Sequence, residues 1–447
     1  MYWFLFFLVA AMGVSSSPNN NGVFDIYDRY SNEVVDVLGK GGLPTKGGAD
    51  YFSYLAARDS RRRQSSPAIT FSSGDGTFQI ELLSPLYYAK VYVGTPPLPF
   101  IVALDTGSSL FWLPCNCSVC LRNITFYWNQ TTNCNIYHSD KSSTYKSIGC
   151  PPSNNGCPFE ARYKDGSSAT GVLISDIVHL TTYDHQHKHV QAPVTFGCAS
   201  NVTGYFRDYS AFNGLLGLGL GNGPDNMDAL SILAAQGIVG NSFSLCFQPS
   251  GNGTLILGDK GTSNQRETPL DLSIQNEGYN VLIEQIVLNQ DITKIVDINV
   301  LFDSGSSYTV LSDPAYTFIT QNFNSLIKEP RSPPPTYLGY FEYCYDLSPN
   351  KTSYWTPPLS FIMKGGHKFD VFFPTIKSHQ GDRSFYCLAI VKQDNINIIG
   401  QNFFTGNNIV FDRERGILGW QQSKCRFTSF FFQAIFMYTL SSNNSSF

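Results

Sequence analysis

Apolar positions along this 447-residue chain rarely follow the 3.6-residue period of an amphipathic helix. Residue types that favour strands, such as Phe, Tyr, Val, Ile and Thr, are plentiful, and many Gly and Pro residues separate them. The pattern therefore predicts a mainly β protein. Two stretches near the ends differ from the rest: an apolar run over residues 2–14 and an aromatic, apolar run over residues 427–440.

The first run predicts a secretory signal peptide over residues 1–17, because it is too short to span a bilayer comfortably and is followed by three serines. A buried N-terminal strand is the alternative. Residues 18–80 are polar and contain a basic amphipathic stretch that ends at Arg63. This segment is interpreted either as a propeptide that covers an acidic cleft or as a solvated linker.

The tail, residues 427–447, passes from an apolar stretch into a polar end. A lipid-anchor signal normally ends in its apolar part, and the apolar stretch is short for a transmembrane helix. Three interpretations of the tail therefore stay open: a poorly ordered end, a weak membrane-associating segment or an altered gene-model terminus.

Composition and charge narrow the class of protein. Hydrophobic residues make up 42% of the chain and charged residues 14%, which is a globular balance. The formal net charge is −4, so no basic surface for nucleic acid is expected. Eleven cysteines and several N-x-S/T acceptors, among them Asn116 and Asn201, favour an oxidising compartment and glycosylation. We expect a secreted, extracellular glycoprotein, with the vacuole or cell surface as alternatives.

The chain contains one internal repeat. Residues 102–110 and residues 300–308 each carry apolar β-type residues, then Asp, a hydroxyl residue, Gly and two Ser. Each copy has a downstream apolar pair followed by Gly, at residues 214–217 and 397–400. An apolar pair followed by Gly suits a strand that passes close to another backbone.

The repeat predicts two lobes of one plan, residues 82–265 and 266–426, which supply Asp105 and Asp303 respectively. Two carboxyl groups about 3 Å apart cannot both ionise readily, so they share one proton. At acid pH such a pair offers a base that activates water and an acid that protonates the substrate. The two aspartates therefore predict peptide-bond hydrolysis without a covalent intermediate, and no metal or cofactor is implied.

Six residues next to the aspartates are expected to hold them in place. In each loop a glycine lets the chain turn sharply and present backbone N–H groups to the carboxylate. The hydroxyl residue before the glycine is expected to bond across to the other loop, and the serine after it to bond the outer carboxylate oxygen. The six residues are Thr106, Gly107 and Ser108 in the first loop and Ser304, Gly305 and Ser306 in the second.

These motifs resemble those of pepsin-type aspartic proteases, in particular the cysteine-rich plant branch of nepenthesin-like and aspartyl protease family protein 1-like enzymes. The similarity covers about residues 82–426, with further matching segments at residues 84–89, 93–97, 196–198, 243–247, 312–316, 341–346, 399–403 and 410–414. The resemblance implies an all-β, bilobal pepsin-like fold, in which two related six-stranded-barrel-like lobes flank a substrate cleft and a flap hairpin closes over it. It also implies a monomeric endopeptidase with an acid pH optimum that acts on proteins or peptides.

Residues 162–167 contain an Asp-Gly turn signal between alternating positions, so they predict a hairpin. By resemblance this hairpin is the flap, Tyr163 is its tyrosine, and Trp112 is the hydrogen-bond partner of that tyrosine. Without the resemblance, Tyr163 would be interpreted as a strand residue and Trp112 as a core aromatic residue.

An insert over residues 115–157 carries six of the eleven cysteines. By resemblance the insert is disulfide-bonded, and the pairs Cys344–Cys387 and Cys198–Cys425 are implied, the second of which would tie the lobes together. Pairing within the insert stays open, and the odd count leaves at least one thiol without a partner in the chain. A zinc site is the alternative for an irregularly spaced group in this region, namely Cys115, Cys117, Cys120, Cys134 and His138.

The alternative function is a catalytically weak or inactive relative that keeps the cleft as a protein-binding or inhibitor surface. Such relatives generally lose a catalytic aspartate or its glycine, whereas Asp105, Gly107, Asp303 and Gly305 are all present. An active endopeptidase is therefore the favoured hypothesis. A structural cell-wall protein would need Pro-rich tracts or repeats of another kind.

Overall fold

The computed structural model describes most residues between Ile69 and Cys425. Outside the described residues lie 1–68, 72–75, 81–83, 118–119, 121–122, 126–130, 151–155, 183–187, 205, 207–212, 222–227, 250–251, 275–277, 291, 335–337, 349–352, 381–382, 424 and 426–447. The predictions for residues 1–17, for the tail and for most of residues 18–80 concern segments outside this described part.

Strands dominate the first half of the chain. They are β1 (Ile69–Phe71), β2 (Gly76–Ile80), β3 (Ser84–Val93), β4 (Leu98–Asp105), β5 (Phe111–Pro114), β6 (Asn123–Thr125), β7 (Thr131–Asn133), β8 (Lys146–Ser147), β9 (Cys157–Arg162), β10 (Ser168–Thr182), β11 (His189–Thr203), β12 (Leu215–Gly217), β13 (Ser242–Phe247) and β14 (Asn252–Leu257). A short 3₁₀ turn covers Ser139–Lys141, and helix α1 covers Ala229–Ala235.

Strands also dominate the second half. They are β15 (Arg266–Pro269), β16 (Tyr279–Leu288), β17 (Ile292–Phe302), β18 (Thr309–Leu311), β19 (Arg331–Ser332), β20 (Cys344–Leu347), β21 (Leu359–Met363), β22 (Lys368–Val371), β23 (Thr375–Gln380), β24 (Arg383–Leu388), β25 (Ile390–Lys392), β26 (Ile398–Ile399), β27 (Asn407–Asp412) and β28 (Ile417–Gln422). Helices α2 (Ala315–Leu326) and α3 (Gln401–Phe404) complete this half.

The strands form several sheets rather than one. The largest has the order β1-β10-β11-β5-β12-β4-β3-β2-β14-β13-β27-β28-β15, and the second-half strands form two more, β22-β21-β16-β17-β26-β18-β25 and β19-β20-β24-β23. The predicted all-β, bilobal pepsin-like fold is confirmed. Helix content is low because few segments carry an apolar face at the helical period; α2 is one of them, with Ala315, Ile319 and Phe323 buried.

The sequence repeat corresponds to a repeated strand arrangement. In the first half, β12 lies parallel to β4, with Leu215 opposite Ala103, and antiparallel to β5 on its other side. In the second half, β26 lies parallel to β17, with Ile398 opposite Leu301, and antiparallel to β18. Each of the two Asp loops therefore connects two strands that are separated by a third strand from much later in the chain.

The two halves are joined by a shared sheet and its core. Strand β13 pairs antiparallel with β27, so first-half and second-half strands are direct neighbours. Phe411 on β27 packs with ring centroids 4.6 Å from both Phe243 and Tyr279, and all three side chains are fully buried. Burial of three large aromatic rings makes this junction a substantial source of hydrophobic stabilisation.

Two strands of the large sheet come from residues 18–80, the segment interpreted above as a propeptide or a linker. Strands β1 and β2 belong to the large sheet: β1 pairs with β10 and β14, and β2 pairs with β3 and β14. Phe71 is buried in the main core, and the Thr70 hydroxyl donates to Leu255 O. Residues 69–71 and 76–80 therefore take part in the folded sheet, and the boundary between the propeptide-like segment and the first lobe at residues 80–82 stays a prediction.

Candidate active site

Asp105 and Asp303 occupy equivalent positions in the repeated strand arrangement. Asp105 is the last residue of β4, and Asp303 directly follows β17. Both are buried, with 6% and 9% of their surface exposed. The neighbouring strand holds each loop from behind, since Leu218 N donates to Asp105 O at 2.7 Å and Asp303 N donates to Ile399 O at 3.0 Å.

Each carboxylate is bound by the glycine and the serine that follow it. Gly107 N donates to Asp105 Oδ1 at 2.9 Å, and the Ser108 hydroxyl donates to Asp105 Oδ2. The second loop repeats these contacts: Gly305 N donates to Asp303 Oδ1 at 2.8 Å, and Ser306 Oγ donates to Asp303 Oδ2 at 2.6 Å. The structure therefore orients both carboxylates through the same pair of donors.

The two carboxylates face each other across the loops. A Cβ on Gly107 would lie 2.7 Å from Asp303 Oδ1, and a Cβ on Gly305 would lie 2.4 Å from Asp105 Oδ1. Each aspartate thus occupies space that a side chain on the opposite glycine would need. The Asp303 side chain is also within hydrogen-bond reach of the Asp105 carboxyl group.

Four hydrogen bonds connect the loops below the carboxylates. Thr106 Oγ1 donates to Phe302 O at 2.8 Å and accepts from Ser304 N at 2.9 Å. In the reverse direction, Ser304 Oγ donates to Leu104 O at 2.8 Å and accepts from Thr106 N at 3.1 Å. Because all four groups are buried, each bond fixes the position of one loop against the other in a low-dielectric environment.

The electrostatics favour a shared proton. Burial raises the pKa of the Asp105 carboxyl group well above its ordinary range, and the negative charge of Asp303 raises it further. Hydrogen bonds from Ser108 and Gly107 act in the opposite direction but do not outweigh burial. A protonated Asp105 next to Asp303 therefore offers an acid and a base side by side.

The predicted hairpin is present and lies against Trp112. Strands β9 and β10 pair antiparallel, and Tyr163 N donates to Ser167 O at 2.9 Å at the turn. Trp112 Nε1 donates to Tyr163 OH at 2.9 Å. Phe206, which sequence reasoning missed, packs against both rings at centroid distances of 4.8 Å and 5.4 Å.

Comparison with known proteins decides the family. Residues 87–259 match the family model described as "Xylanase inhibitor N-terminal", and residues 272–422 match "Xylanase inhibitor C-terminal". The chain is 42% identical to Aspartyl protease family protein 1 of Arabidopsis thaliana, over 90% of this chain and 81% of that protein. This protein belongs to the plant pepsin-like aspartic protease family.

More distant members of the aspartic protease family also match. Aspartic proteinase-like protein 1 of Arabidopsis thaliana is 32% identical over 86% of this chain and 77% of that protein. Aspartic proteinase nepenthesin-1 of Nepenthes gracilis is 24% identical over 76% of this chain and 74% of that protein. The crystal structure of conglutin gamma, a basic 7S globulin from lupine seeds, superposes with a TM-score of 0.61 at 19% identity, covering 80% of this chain and 95% of that one, and it supports the fold alone.

One disulfide expectation for this family member is wrong. Cys198 is bonded to Cys115, and Cys425 is bonded to Cys246, so the pair Cys198–Cys425 does not form. The reason is strand order: β11 lies parallel to β5, and Cys115 N donates to Ala199 O at 2.8 Å, which brings Cys115 beside Cys198.

The remaining cysteines follow from local geometry. Cys425 comes just after β28, and Cys246 lies on β13. Strand β27 pairs with both β28 and β13, so it brings these two cysteines to the same part of the sheet. The structure joins Cys344 to Cys387, as the resemblance implied, because these residues lie directly opposite each other on β20 and β24. Within the insert the bonded pairs are Cys117–Cys120 and Cys150–Cys157.

The zinc hypothesis does not fit these bonds. Cys115, Cys117 and Cys120 are in disulfides, and Cys134 is half-buried with a thiol whose pKa burial raises to about 12. A thiolate ligand is therefore disfavoured at Cys134. Among the described residues, no group of three or more His, Cys, Asp or Glu side chains is arranged to hold a metal ion.

One further site residue of this protease family member, Gln401, came from the structure. Gln401 Nε2 donates to Ser304 O at 2.5 Å and Gln401 N donates to Ser306 O at 2.9 Å, so Gln401 supports the second Asp loop. In the sequence, the only indication of this role is that Gln401 directly follows the apolar pair and glycine of residues 397–400. Within the described part of the chain, no helix is both long and apolar enough for a membrane crossing.

Proposed function

We propose that this protein is an aspartic endopeptidase that hydrolyses peptide bonds at acid pH through Asp105 and Asp303. The observation that carries the proposal is their paired geometry: each carboxylate is bound by its own glycine N–H and serine hydroxyl and lies against the glycine of the other loop. Buried, hydrogen-bonded carboxyl groups held this close suit proton transfer rather than a structural role.

In the proposed reaction Asp105 holds the shared proton, since burial and the neighbouring Asp303 charge raise the pKa of Asp105. The Asp303 carboxylate takes a proton from water as the water oxygen attacks the scissile carbonyl carbon. Asp105 gives its proton to the carbonyl oxygen. As the tetrahedral intermediate collapses, Asp303 gives the proton it took from water to the amide nitrogen, a hydroxyl group of the intermediate returns a proton to Asp105, and the C–N bond breaks. The products are a carboxylic acid and an amine, and both aspartates regain their starting state.

Proteins or peptides with apolar side chains next to the cut are the proposed substrates. The hairpin of residues 162–167 is the proposed flap, and its aromatic cluster of Tyr163, Trp112 and Phe206 supports this assignment. A flap of this kind excludes water from the reacting bond and strengthens the electrostatic interactions around it.

Secretion, glycosylation and zymogen processing are also proposed, with action as a monomer. The apolar run of residues 2–14 and the N-x-S/T acceptors support the first two. Asn201 is an exposed acceptor on β11, and the described residues contain disulfides throughout both lobes. Intact mass before and after enzymatic removal of N-glycans, measured on the secreted protein, tests the processed ends and glycosylation together.

Digestion of casein or haemoglobin at acid pH, with and without pepstatin, tests the endopeptidase. We expect pepstatin-sensitive turnover by the mature protein and a loss of at least about 10³-fold in Asp105→Asn and Asp303→Asn, because either change removes half of the proton-sharing pair. Asp271→Asn is the matched control: it changes a carboxylate that accepts a hydrogen bond from the exposed Ser273 hydroxyl. This variant should keep wild-type turnover.

Two results would reject the proposal: no pepstatin-sensitive turnover by the wild type, or equal turnover in Asp105→Asn. Stoichiometric binding of a protein without cleavage would favour instead the inhibitor or protein-binding hypothesis. That hypothesis has some support in the description "Xylanase inhibitor" of the matching family models.

A further inference from the structure

Arg413 is a buried charge outside the aspartate pair, and all of its side-chain N–H groups have acceptors. Nε donates to Tyr279 OH at 2.7 Å, and Nη1 donates to Asp228 Oδ1 at 2.7 Å and to Ser231 Oγ at 3.2 Å. Nη2 donates to two backbone carbonyls, Leu218 O at 2.7 Å and Gly219 O at 2.8 Å. The side chain is only 3% exposed.

The two carbonyls belong to the segment that supports the first Asp loop. Leu218 and Gly219 directly follow β12, and their N–H groups donate to Asp105 O at 2.7 Å and to Ser108 O at 2.8 Å. The same two residues therefore hold the Asp105 loop through their N–H groups and bind Arg413 through their carbonyl groups. Tyr279 OH is a second donor to Leu218 O, at 2.6 Å.

The contacts cross from one lobe to the other. Arg413 follows β27 and Tyr279 begins β16, both in the second half, whereas Leu218, Gly219 and Asp228 are in the first half. Residues of the second half thus bind the segment that supports the Asp105 loop. These contacts are separate from the hydrogen bonds between the Thr106 and Ser304 loops. A planar guanidinium suits this task, because its donors are fixed relative to one another.

We propose that Arg413 is a positioning residue for Asp105: by binding the carbonyls of Leu218 and Gly219, it fixes from the opposite lobe the segment that carries the Asp105 loop. The inference rests on the proposed endopeptidase function. A displacement of about 1 Å in a reacting group can lower a rate by about 10²-fold, so a support two hydrogen bonds away has a measurable effect.

A purely structural role is the competing explanation, and Asp228 separates the two. Asp228 is buried, caps helix α1 by accepting from Ser231 N at 3.0 Å, and pairs with Arg413. Asp228→Asn keeps a side-chain oxygen for both contacts and removes the charge. Arg413→Lys keeps the charge, but a single ammonium group cannot reach Asp228 and both carbonyls as the guanidinium does.

The test compares kcat, KM and the pH profile of the wild type with Arg413→Lys, Asp228→Asn and Tyr279→Phe, using a pepstatin-sensitive peptide assay. We expect Arg413→Lys to lower kcat by about tenfold or more with KM within about twofold, and to shift the pH profile. Asp228→Asn should lower the melting temperature but keep kcat within about twofold. Arg266→Lys, at an exposed ion pair with Asp370, is the matched control and should behave as the wild type.

Wild-type kcat and pH profile in folded Arg413→Lys would overturn the inference, as would an equal loss in Asp228→Asn. If Arg413→Lys does not fold, Tyr279→Phe tests whether the Leu218 segment positions Asp105, since it removes one donor to Leu218 O and keeps the buried ring. A fall in its kcat without a change in KM supports positioning, and an unchanged kcat contradicts it. An inactive wild type would instead refute the proposed function itself.

Discussion

Gly305 lies so close to the Asp105 carboxylate that a Cβ at residue 305 would come within 2.4 Å of Asp105 Oδ1. That separation is below any normal carbon–oxygen contact, and the obstructing atom belongs to a buried group that cannot move away freely. The pairing of the two carboxylates therefore requires a residue without a side chain at this position.

Gly305→Ala should consequently lower kcat by at least about 10²-fold, because the methyl group displaces Asp105 from its partner. Gly149→Ala is the matched control: residue 149 is exposed, and a Cβ there would meet no atom within 4 Å. Steady-state hydrolysis of a peptide checks both variants. Full activity in Gly305→Ala would contradict the close approach of the two carboxylates.

The cross-loop hydrogen bonds predict a stability effect. Ser304→Ala removes the donor to Leu104 O and the acceptor for Thr106 N, and leaves both partners buried. The free energy of unfolding should fall by about 1–3 kcal/mol, the usual cost of such unpaired groups. Urea denaturation measures it, and Ser273→Ala, at an exposed serine, should change it by less than about 0.5 kcal/mol.

The raised pKa of Asp105 predicts how stability varies with pH. A carboxyl group whose pKa is higher in the folded state contributes stability that is fully present below its unfolded pKa and is lost as the pH rises through the folded pKa. The free energy of unfolding should therefore fall as the pH rises from about 4 toward neutrality. Asp105→Asn, which cannot ionise, should show a shallower fall.

Chemical denaturation over short incubations at several pH values measures this difference. Asp313→Asn offers a contrast of opposite sign, because Lys392 and Thr317 hold the pKa of exposed Asp313 at about 2, so its contribution is lost as the pH falls. Parallel stability curves for the wild type and Asp105→Asn would show that Asp105 is not the group whose ionisation costs stability.

The Trp112–Tyr163 hydrogen bond predicts a kinetic effect. Tyr163→Phe keeps the ring against Phe206 but leaves Trp112 Nε1 without this acceptor. If the hairpin is the flap, kcat/KM should fall by up to about tenfold, which corresponds to one net hydrogen bond. Tyr354→Phe is the control, because it removes a hydroxyl that is hydrogen-bonded to the Thr375 hydroxyl. An equal fall in kcat/KM in both variants would refute a flap role.

The disulfide pattern predicts a specific peptide map. Non-reducing digestion and mass spectrometry should yield linked peptides for Cys115–Cys198 and Cys246–Cys425. Cys134 should react with a thiol reagent slowly in the folded protein and quickly after unfolding, because it is half-buried and its thiol pKa is raised. Recovery of a Cys198–Cys425 peptide would contradict the observed strand order.

The sequence by itself determined the fold class, the internal repeat and the local contacts of the two aspartates. The contacts of the glycines and serines were readable because each of these residues acts on an aspartate no more than three positions away, as Gly107 and Ser108 do on Asp105. The turn at Asp165 and Gly166 was readable for the same reason, since its signal lies within a few residues. The cross-loop bonds of Thr106 and Ser304 were readable only because the motif is repeated.

Only the tertiary structure decided which distant residues meet. The partner of Cys198, the inclusion of Phe71 in the core and the contact of Arg413 with Leu218 all depend on which strands become neighbours. Strand order is set by the burial of the whole core, in which one apolar strand resembles another locally. No short pattern near any of these residues therefore specifies its partner.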